Sequence, residues 1–347
     1  MNRRMRVAWA ALVSGAFLCA SLPASAQDRP PPEEPSTWWG QPNAGYGPLR
    51  ETSLSPFSSL RMNLAPYFPS AMPERTFEVR VESAWGKNNT LSQLWDIDFE
   101  EVASTVSFAW GLSDEVRVQL EIASGDRTGG GLDPFINGFH ETFGLALGNR
   151  ARHPKNDYVF DVKASDAGPA VHLDRTDPQP FTEAALLTLQ HVVTYGDEVA
   201  PALSYALTLR SKLGGGGDLQ VASPVNLAAS IAISKEIAGF HLYAGGIVAW
   251  YGRDDFFGIK LRTWQWAGQL AAEWYCLPDF SLIAQYLITA GAIEGLRDFS
   301  KPSHEVAGGF KWELTHSILF EAALIENIIN FDNSPDLGFQ FGFTFRY

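Results

Sequence analysis

Apolar and polar residues alternate one by one along most of the chain after Glu74. Such period-2 alternation predicts strands with one apolar and one polar face, because successive side chains of a strand point to opposite sides. In the first strands the polar face is charged or amide-bearing. Its members are Glu78, Arg80, Glu82, Arg117, Gln119 and Glu121.

The alternation, interrupted by turn residues, divides the chain into about twelve strands. We place them at Phe77–Trp85, Glu100–Trp110, Glu115–Ala123, Thr182–Val193, Ala200–Lys212, Pro224–Ser234, Phe240–Tyr251, Thr263–Tyr275, Ser281–Ala290, Ser303–Glu313, Ile318–Ile325 and Leu337–Tyr347. Short and long connections alternate between them. This pattern is typical of outer-membrane barrels. The sequence therefore predicts an all-β fold, a closed antiparallel transmembrane β-barrel.

The last strand carries an aromatic residue at every second position and ends on one. A strand so apolar would be an aggregation hazard at the edge of a soluble sheet, whereas a lipid-facing barrel requires it. Phe343, Phe345 and Tyr347 resemble the recognition strand that the barrel-insertion machinery reads. We therefore expect that machinery and outer-membrane lipid to be partners of the chain.

Aromatic residues near the predicted strand ends are candidates for interfacial girdles. They are Trp85, Trp110, Trp250, Tyr251, Trp264, Trp266, Trp274, Tyr275 and Trp312.

Residues 1–26 have the features of a secretory signal peptide: a basic start, an apolar core over Val7–Leu18 and an Ala24-Ser25-Ala26 cleavage site. Residues 27–73 are rich in proline, which breaks regular elements, and we expect a periplasmic N-terminal segment there. Residues 74–347 are the predicted barrel. The expected location is the outer membrane of a Gram-negative cell.

The net charge argues against nucleic acid as a partner, and the cysteine content argues against a disulfide within the mature chain. The signal peptide holds three Arg and no acidic residue, so removing it takes the net charge from −13 to −16. So acidic a chain is a poor nucleic-acid binder. Of the two cysteines, Cys19 leaves with the signal, and Cys276 has no intramolecular partner for a disulfide.

The long connection from Ser124 to Phe181 contains a predicted helix. Asp133 can cap it, Pro134 suits its first position and Gly144 can end it. An apolar stripe at helical spacing must be buried, either in the barrel mouth or in the outer leaflet. We favour the mouth, where the helix would be a gate. The gate candidates are Leu132, Asp133, Phe135, Ile136, Phe139, His140 and Phe143.

The residues of this helix also carry a resemblance. The run from Gly130 to Leu145, with its Gly-Gly-Leu-Asp start, Phe139-His140 pair and Phe143-Gly144 end, resembles the hallmark of a bacterial family of unknown function, domain of unknown function 3187. The resemblance is marked from Glu74 to Arg150. It implies an exported outer-membrane barrel and no particular activity. The chain departs from the family pattern at Pro134 and Ala146, which bears on loop geometry.

Three classes of function remain open. The first is a narrow or plugged channel for small polar or amphiphilic solutes. We expect the charged face of the first strands to line the lumen, where charges set pore selectivity. The second is a lipid-modifying barrel enzyme, such as a hydrolase or deacylase. The third is a structural barrel that binds a periplasmic partner. The seven histidines are scattered outside any nucleophile or zinc motif, so the sequence leans against an enzyme, a catalytic residue, a metal or a cofactor.

Overall fold

The computed structural model describes residues 43–70, 72–144, 156–163, 170–173, 179–213, 225–329 and 333–347. These residues form sixteen strands and one α-helix. They are β1 Phe77–Leu91, β2 Trp95–Gly111, β3 Val116–Thr128, α1 Asp133–Phe143, β4 Val159–Lys163, β5 Ala170–Leu173, β6 Gln179–Thr194, β7 Ala202–Lys212, β8 Val225–Ile237, β9 Phe240–Tyr251, β10 Asp255–Phe256, β11 Ile259–Lys260, β12 Trp264–Leu277, β13 Phe280–Thr289, β14 Ser303–Thr315, β15 Ile318–Ile329 and β16 Leu337–Arg346.

Twelve of the described strands close into an antiparallel barrel. Each pairs with its neighbours in the order β1, β2, β3, β6, β7, β8, β9, β12, β13, β14, β15, β16, and β16 returns to β1. At the closing seam Val81 lies between Val106 of β2 and Phe343 of β16. Closure pairs the backbone groups of every wall strand on both sides, which a membrane interior requires.

The barrel is polar inside and apolar outside. Exposed side chains on the outer face include Val81, Phe108, Leu120, Leu189, Leu207, Ile231, Val248, Leu270 and Phe341. Residues of the opposite parity, such as Glu82 and Glu321, point inward and are buried. An apolar exterior with a polar interior is the reverse of the arrangement in soluble proteins and is that of a transmembrane barrel.

The predicted fold class is confirmed, and each of the twelve predicted strands corresponds to one barrel strand. The largest boundary difference lies between Trp85 and Glu100. We expected a long loop there, but β1 and β2 continue to a turn over residues 92–94. Many residue pairs in this extension are polar, such as Asn89 and Asp98. The alternation of apolar residues therefore did not reveal it.

The barrel has a short-turn end and a long-loop end. Both Phe77 and Tyr347 lie at the short-turn end, where their backbones exchange hydrogen bonds. At the long-loop end, β4 extends the sheet from β2 and pairs with β5, and β10 pairs with β11 in a separate hairpin. Among the described residues, no helix is long and apolar enough to cross a membrane.

The predicted girdle aromatics divide between the two faces. Trp110, Trp264, Trp266 and Trp312 are exposed on the outside, as expected. Tyr251 and Tyr275 instead point inward, because each directly follows an outward-facing tryptophan and neighbours in a strand point to opposite faces.

Candidate functional site in the plugged lumen

The interior of the barrel is occupied by the N-terminal segment of the same chain. Residues 43–70, which we call the plug, enter at the short-turn end, where Asn43 donates to the carbonyls of Tyr195 and Asp197. The plug reaches the long-loop end around Phe57 and returns to the short-turn end, where Arg75 and Gly111 are hydrogen-bonded. It therefore spans the lumen twice.

This position differs from the periplasmic segment that we expected over residues 27–73. The physical reason is that the segment carries apolar side chains as well as prolines. Those side chains are buried between the plug and the wall: Leu49, Leu54, Phe57, Leu60, Met62, Leu64, Tyr67 and Phe68. The signal peptide (residues 1–26) and residues 27–42 lie outside the described residues.

Lumen side chains satisfy the backbone of the plug. An irregular, proline-rich chain makes few hydrogen bonds of its own, and buried carbonyls need partners. The amides of Gln269 and Gln285 both donate to the carbonyl of Leu49, at 3.0 and 3.1 Å. Similar bonds to plug carbonyls come from Asn88, Gln190, Ser204, Tyr243, Tyr251, Lys311 and Gln340. The polar inner face thus serves as the hydrogen-bonding surface for the plug.

The predicted lumen charges all point inward, and they form a network of ion pairs. Arg80 contacts Glu82 and Glu321, each at 2.6 Å, and Glu321 also contacts Lys311 at 3.1 Å. Glu78 pairs with Arg346 at 2.7 Å. Five of the six predicted residues, namely Glu78, Arg80, Glu82, Gln119 and Glu121, are buried, and Arg117 is half-buried.

The plug adds its own charges to this network. Arg50 contacts Glu121 at 2.9 Å, which joins the plug to β3. The hydroxyl of Tyr46 donates to Glu313 at 3.0 Å. Burial and the nearby carboxylate of Glu313 raise the pKa of Tyr46, so the phenol stays protonated and remains a donor.

Arg61 secures the return pass of the plug. Its guanidinium lies 4.3 Å from the ring centre of Tyr251 and donates to the carbonyls of Arg253 and Arg262. Burial lowers the pKa of Arg61 to about 10, which leaves it protonated at neutral pH.

Two glycines allow the N-terminal chain to pass close to the wall. A side chain at Gly245 would meet Pro66 and Phe68 of the plug at 3.0 Å, which is a tight contact. One at Gly111 would lie 2.2 Å from the carbonyl oxygen of Pro73, just after the plug, so that position requires glycine.

The long-loop end is closed by an apolar cluster that we call the roof. It surrounds Phe57 and Leu60 of the plug with buried side chains from β2, β4 and the loops between β9 and β14. Its principal aromatic members are Trp95, Phe99, Phe160, Phe256 and Phe299. The lumen is therefore lined by both polar and apolar side chains along its length and is apolar at the long-loop end.

Packing between plug and wall is close. A cavity of about 30 Å³ lies beside Ser59 and Arg61 of the plug and Gln265 and Thr289 of the wall. One buried water needs roughly 10–15 Å³ of such space, so this cavity holds a water or two rather than a solute. At this point, plug and wall leave no room for a solute.

Helix α1 lies on the outer face of the barrel. We expected it in the mouth as a gate, and the structure does not place it there. Ile136 is fully buried against Leu337, and Phe135 contacts Phe339 with ring centres 5.5 Å apart. Both partners belong to the outward-facing row of β16 that also contains Phe341 and Phe343. The apolar stripe of α1 thus covers an apolar wall.

A buried ion pair anchors the start of this helix. Lys87 of β1 contacts Asp98 of β2 at 2.8 Å and Asp133 at 3.5 Å, all beneath the chain that leads into α1. The residue that precedes the first helical turn is Leu132, so Asp133 is not the cap that we expected. Instead its carboxylate accepts the backbone N–H of Asn156 at 2.7 Å.

The remaining gate candidates follow the same placement. Leu132 is buried in the cluster with Ile136, Phe139 packs against it, and His140 is buried. The side chain of Phe143 lies outside the described part of the chain. The insertion-signal residues Phe343 and Phe345 lie in the outward-facing row of β16, and Tyr347 is exposed at the short-turn end. Their recognition by insertion machinery stays a prediction.

One histidine on the outer face, His304, contacts a hydroxyl group, and this contact can be compared with the site of a lipid hydrolase. There the hydroxyl of Tyr286 lies 2.6 Å from Nδ1 of His304. This is a tyrosine–histidine contact, whereas an acyl-transfer site pairs histidine with a serine nucleophile. In the described part of the chain, no group of three or more His, Cys, Asp or Glu residues could hold a metal ion.

Comparison with known proteins identifies the family. The model for the family described as protein of unknown function (DUF3187) matches residues 36–347. The chain belongs to this family. The resemblance seen in the Gly130–Leu145 run is thereby confirmed, and the match extends over the plug and the whole barrel. No curated protein matches the chain.

The chain is similar to solved structures at low sequence identity. The COG4313 outer membrane channel from Pseudomonas putida F1 is 13% identical, with a TM-score of 0.54, and the match covers 80% of this chain and 97% of that one. The NanC porin is 11% identical with a TM-score of 0.43, covering 78% and 98%. The Ralstonia pickettii toluene transporter TbuX is 9% identical with a TM-score of 0.39, covering 85% and 98%. The first likeness supports an outer-membrane barrel fold.

Sequence reasoning missed the plug, although one signal could have found it. A periplasmic linker has no need of buried apolar residues, yet Leu49, Leu54, Phe57 and Leu60 recur at intervals of three to five residues in the Pro-rich segment. Together with uncharged donors on the inner face, such as Gln269 and Gln285, this recurrence points to an internal binding surface.

Proposed function

We propose that this protein is an outer-membrane channel for small polar or amphiphilic solutes and that the plug is its gate. The observation that carries the proposal is the kind of contact that holds the plug. Hydrogen bonds, ion pairs and side-chain packing attach residues 43–70 to the wall. In the described part of the chain, the strands of the wall pair with other strands and not with the plug. The barrel can therefore keep its shape when the plug leaves.

The lining supports this class of solute. Once the plug leaves, water can replace it on the side chains of Gln269, Gln285, Glu121 and Lys311, because each now bonds to the plug or to another inward-facing group. A twelve-stranded barrel leaves a lumen of modest width, well below that of the large porins. Mixed charge along its length suits polar solutes of small size.

The experiment compares two deletions in planar bilayers. Deleting residues 43–72 should raise single-channel conductance at least about tenfold, because an open barrel of this size passes ions. Deleting Leu132–Leu145, which removes α1 from the outer face, should leave the conductance unchanged. Heat-modifiable migration in gels establishes that each variant has folded.

A plug-deleted barrel that folds and conducts no better than the full chain would contradict the channel. An increase on deletion of Leu132–Leu145 alone would return the gating role to α1.

A further inference from the structure

Phe57, at the tip of the plug, sits in an aromatic cage within the roof. Its ring centre lies 5.0 Å from that of Phe299, 5.7 Å from Phe160 and 6.3 Å from Phe256. These partners come from β4, from β10 and from the 3-10 turn Arg297–Ser300. Phe57 is 1% exposed, so the cage encloses it almost completely.

The cage has its own internal contacts and does not depend on Phe57 alone. Phe160 and Phe256 lie 6.2 Å apart, with their rings edge to face. Phe299 contacts Trp95 at 4.8 Å, and Phe160 contacts Phe99 at 6.0 Å. Edge-to-face pairs at these distances are mutually stabilising, so the walls of the cage are organised in advance.

A hydrogen-bond donor lies beside the cage. Arg127 stacks on Phe99 at 4.2 Å and on Phe160 at 5.5 Å, and it pairs with Glu101 at 2.9 Å. From this position it donates to the carbonyl of Pro56, the residue that precedes Phe57, and to the hydroxyl of Ser59 at 3.0 Å. The tip therefore presents a ring to the cage and an acceptor to Arg127.

A strained aromatic residue connects the cage with the surface. Phe257 and Gly258 form the two-residue turn between β10 and β11, with φ of 50° and 82°. Such turns favour Asn-Gly, and a phenylalanine at positive φ is a costly choice. Phe257 is nevertheless 48% exposed, and its ring lies 5.0 Å from Phe256 of the cage. Backbone strain of this kind concentrates at functional sites.

We propose that the cage is a binding site for small uncharged aromatic molecules that carry one hydrogen-bond acceptor, and that Phe57 with the Pro56 carbonyl occupies it as a built-in substitute. A solute arriving at the long-loop end takes the place of the ring, its acceptor takes the place of the carbonyl, and the tip of the plug is displaced. This inference rests on the proposed gating role of the plug. The ligand is uncharged because burying a charged group among the apolar side chains of the cage would be costly.

The first test measures binding of benzyl alcohol to the purified full-length protein in detergent by calorimetry. Phe57→Ala should tighten binding by about tenfold or more, because removing an internal competitor makes every molecule competent to bind. Phe68→Ala is the matched control. Phe68 is another buried phenylalanine of the plug. It contacts Tyr243 at 5.7 Å, away from the cage, so its removal should leave the affinity unchanged.

Two further arms distinguish an aromatic site from an apolar void. Cyclohexylmethanol, which has the same size but no aromatic ring, should bind the Phe57→Ala variant more weakly than benzyl alcohol. Adding Phe160→Ala to Phe57→Ala should lower the affinity for benzyl alcohol again. If the alanine variant does not fold, the milder change Phe57→Leu should still bind benzyl alcohol more tightly than the unaltered protein does.

Hydrogen exchange of the unaltered protein tests the displacement. The amides of Ser59 and Arg61 are bonded within the tip, to the carbonyls of Ser55 and Ser58. Benzyl alcohol should make them exchange faster, whereas a molecule that merely fills a gap would slow them.

Equal binding by the Phe57→Ala and Phe68→Ala variants, equal binding of the two alcohols, or slower exchange at the tip would overturn the proposal. If plug deletion raises conductance but neither the unaltered protein nor Phe57→Ala binds benzyl alcohol, the aromatic binding site is refuted and the channel is not. Absence of conductance after plug deletion would refute the channel and leave the binding result standing.

Discussion

Two segments lie against the barrel wall, and their positions are opposite to those that their sequences suggested. Helix α1, with its apolar stripe, was expected in the mouth and lies on the outer face, where Ile136 packs against Leu337. The Pro-rich plug was expected outside the barrel and fills the lumen, where Arg50 pairs with Glu121. Each segment covers the face whose polarity matches its own.

The difference lies in the backbone as much as in the side chains. A helix satisfies its own carbonyls and N–H groups, so it can cover an apolar surface such as the β15–β16 wall. An irregular chain leaves those groups unpaired and needs donors and acceptors nearby. The carbonyl of Leu49 accepts hydrogen bonds from two glutamine amides in the lumen, whereas the described outer face is lined mainly by valines, leucines and phenylalanines.

The largest expected effect breaks the outer contact. Ile136→Asp would place a carboxylate at a fully buried position against Leu337, and we expect about 3–4 kcal/mol less stability for the docked helix. Hydrogen exchange across α1 should accelerate accordingly in folded protein. The single-channel conductance should not change, because the helix lies outside the lumen.

Gly138→Asp is the matched control for this variant. Gly138 is exposed on the same helix, and a side chain there would meet nothing within 4 Å. Equal acceleration of exchange in both variants would contradict the docking of α1 through Ile136.

The next effect loosens the inner segment. Arg50→Ala would leave Glu121 without its 2.9 Å partner in the lumen, and we expect the docked plug to lose about 2–3 kcal/mol. The open probability in planar bilayers should rise accordingly. Arg75→Ala removes an exposed pair with Glu74 at 3.3 Å and should have almost no effect. An Arg50→Ala channel that stays as closed as the unaltered one would show that this pair does not hold the gate.

A feature could be predicted from the sequence when it depends on residues close together along the chain, and not when it depends on residues far apart. Alternation is local, so it predicted all twelve wall strands and the inward direction of Glu78, Arg80 and Glu121. The extent of α1 also followed from its local signals, Pro134 and Gly144. Which face a segment covers depends on partners hundreds of positions away, as when the carbonyl of Leu49 meets Gln285. No periodicity encodes such a contact.

A smaller effect concerns pH and the plug alone. Burial raises the pKa of Glu51 to about 7, while a hydrogen bond from Gln285 acts in the opposite direction. A released plug would have an ordinary carboxyl, so docking takes up a proton between about pH 4.5 and 7. Stability from this group is present at pH 5 and is lost as the pH rises through 7, by about 2 kcal/mol.

Open probability at pH 5 and pH 8 measures this linkage. The unaltered channel should open more at pH 8. Glu51→Gln should reduce the dependence, because its amide does not titrate and no longer repels the neighbouring carboxyl of Glu305. A slope of unchanged size in the glutamine variant would assign the pH dependence to another group.

The smallest expected effect sharpens the position of α1. Phe135 is 52% exposed, and its ring meets Phe339 at 5.5 Å with an interplanar angle of 65°. Phe135→Ala removes this edge-to-face pair and part of the apolar cover of the wall, at a cost of about 1 kcal/mol to helix docking. Exchange across residues 133–143 should accelerate slightly, less than in Ile136→Asp, and conductance should stay constant. A change in conductance from this single exposed ring would mean that the outer helix and the inner plug are coupled through the wall, and the two segments could then no longer be treated as independent.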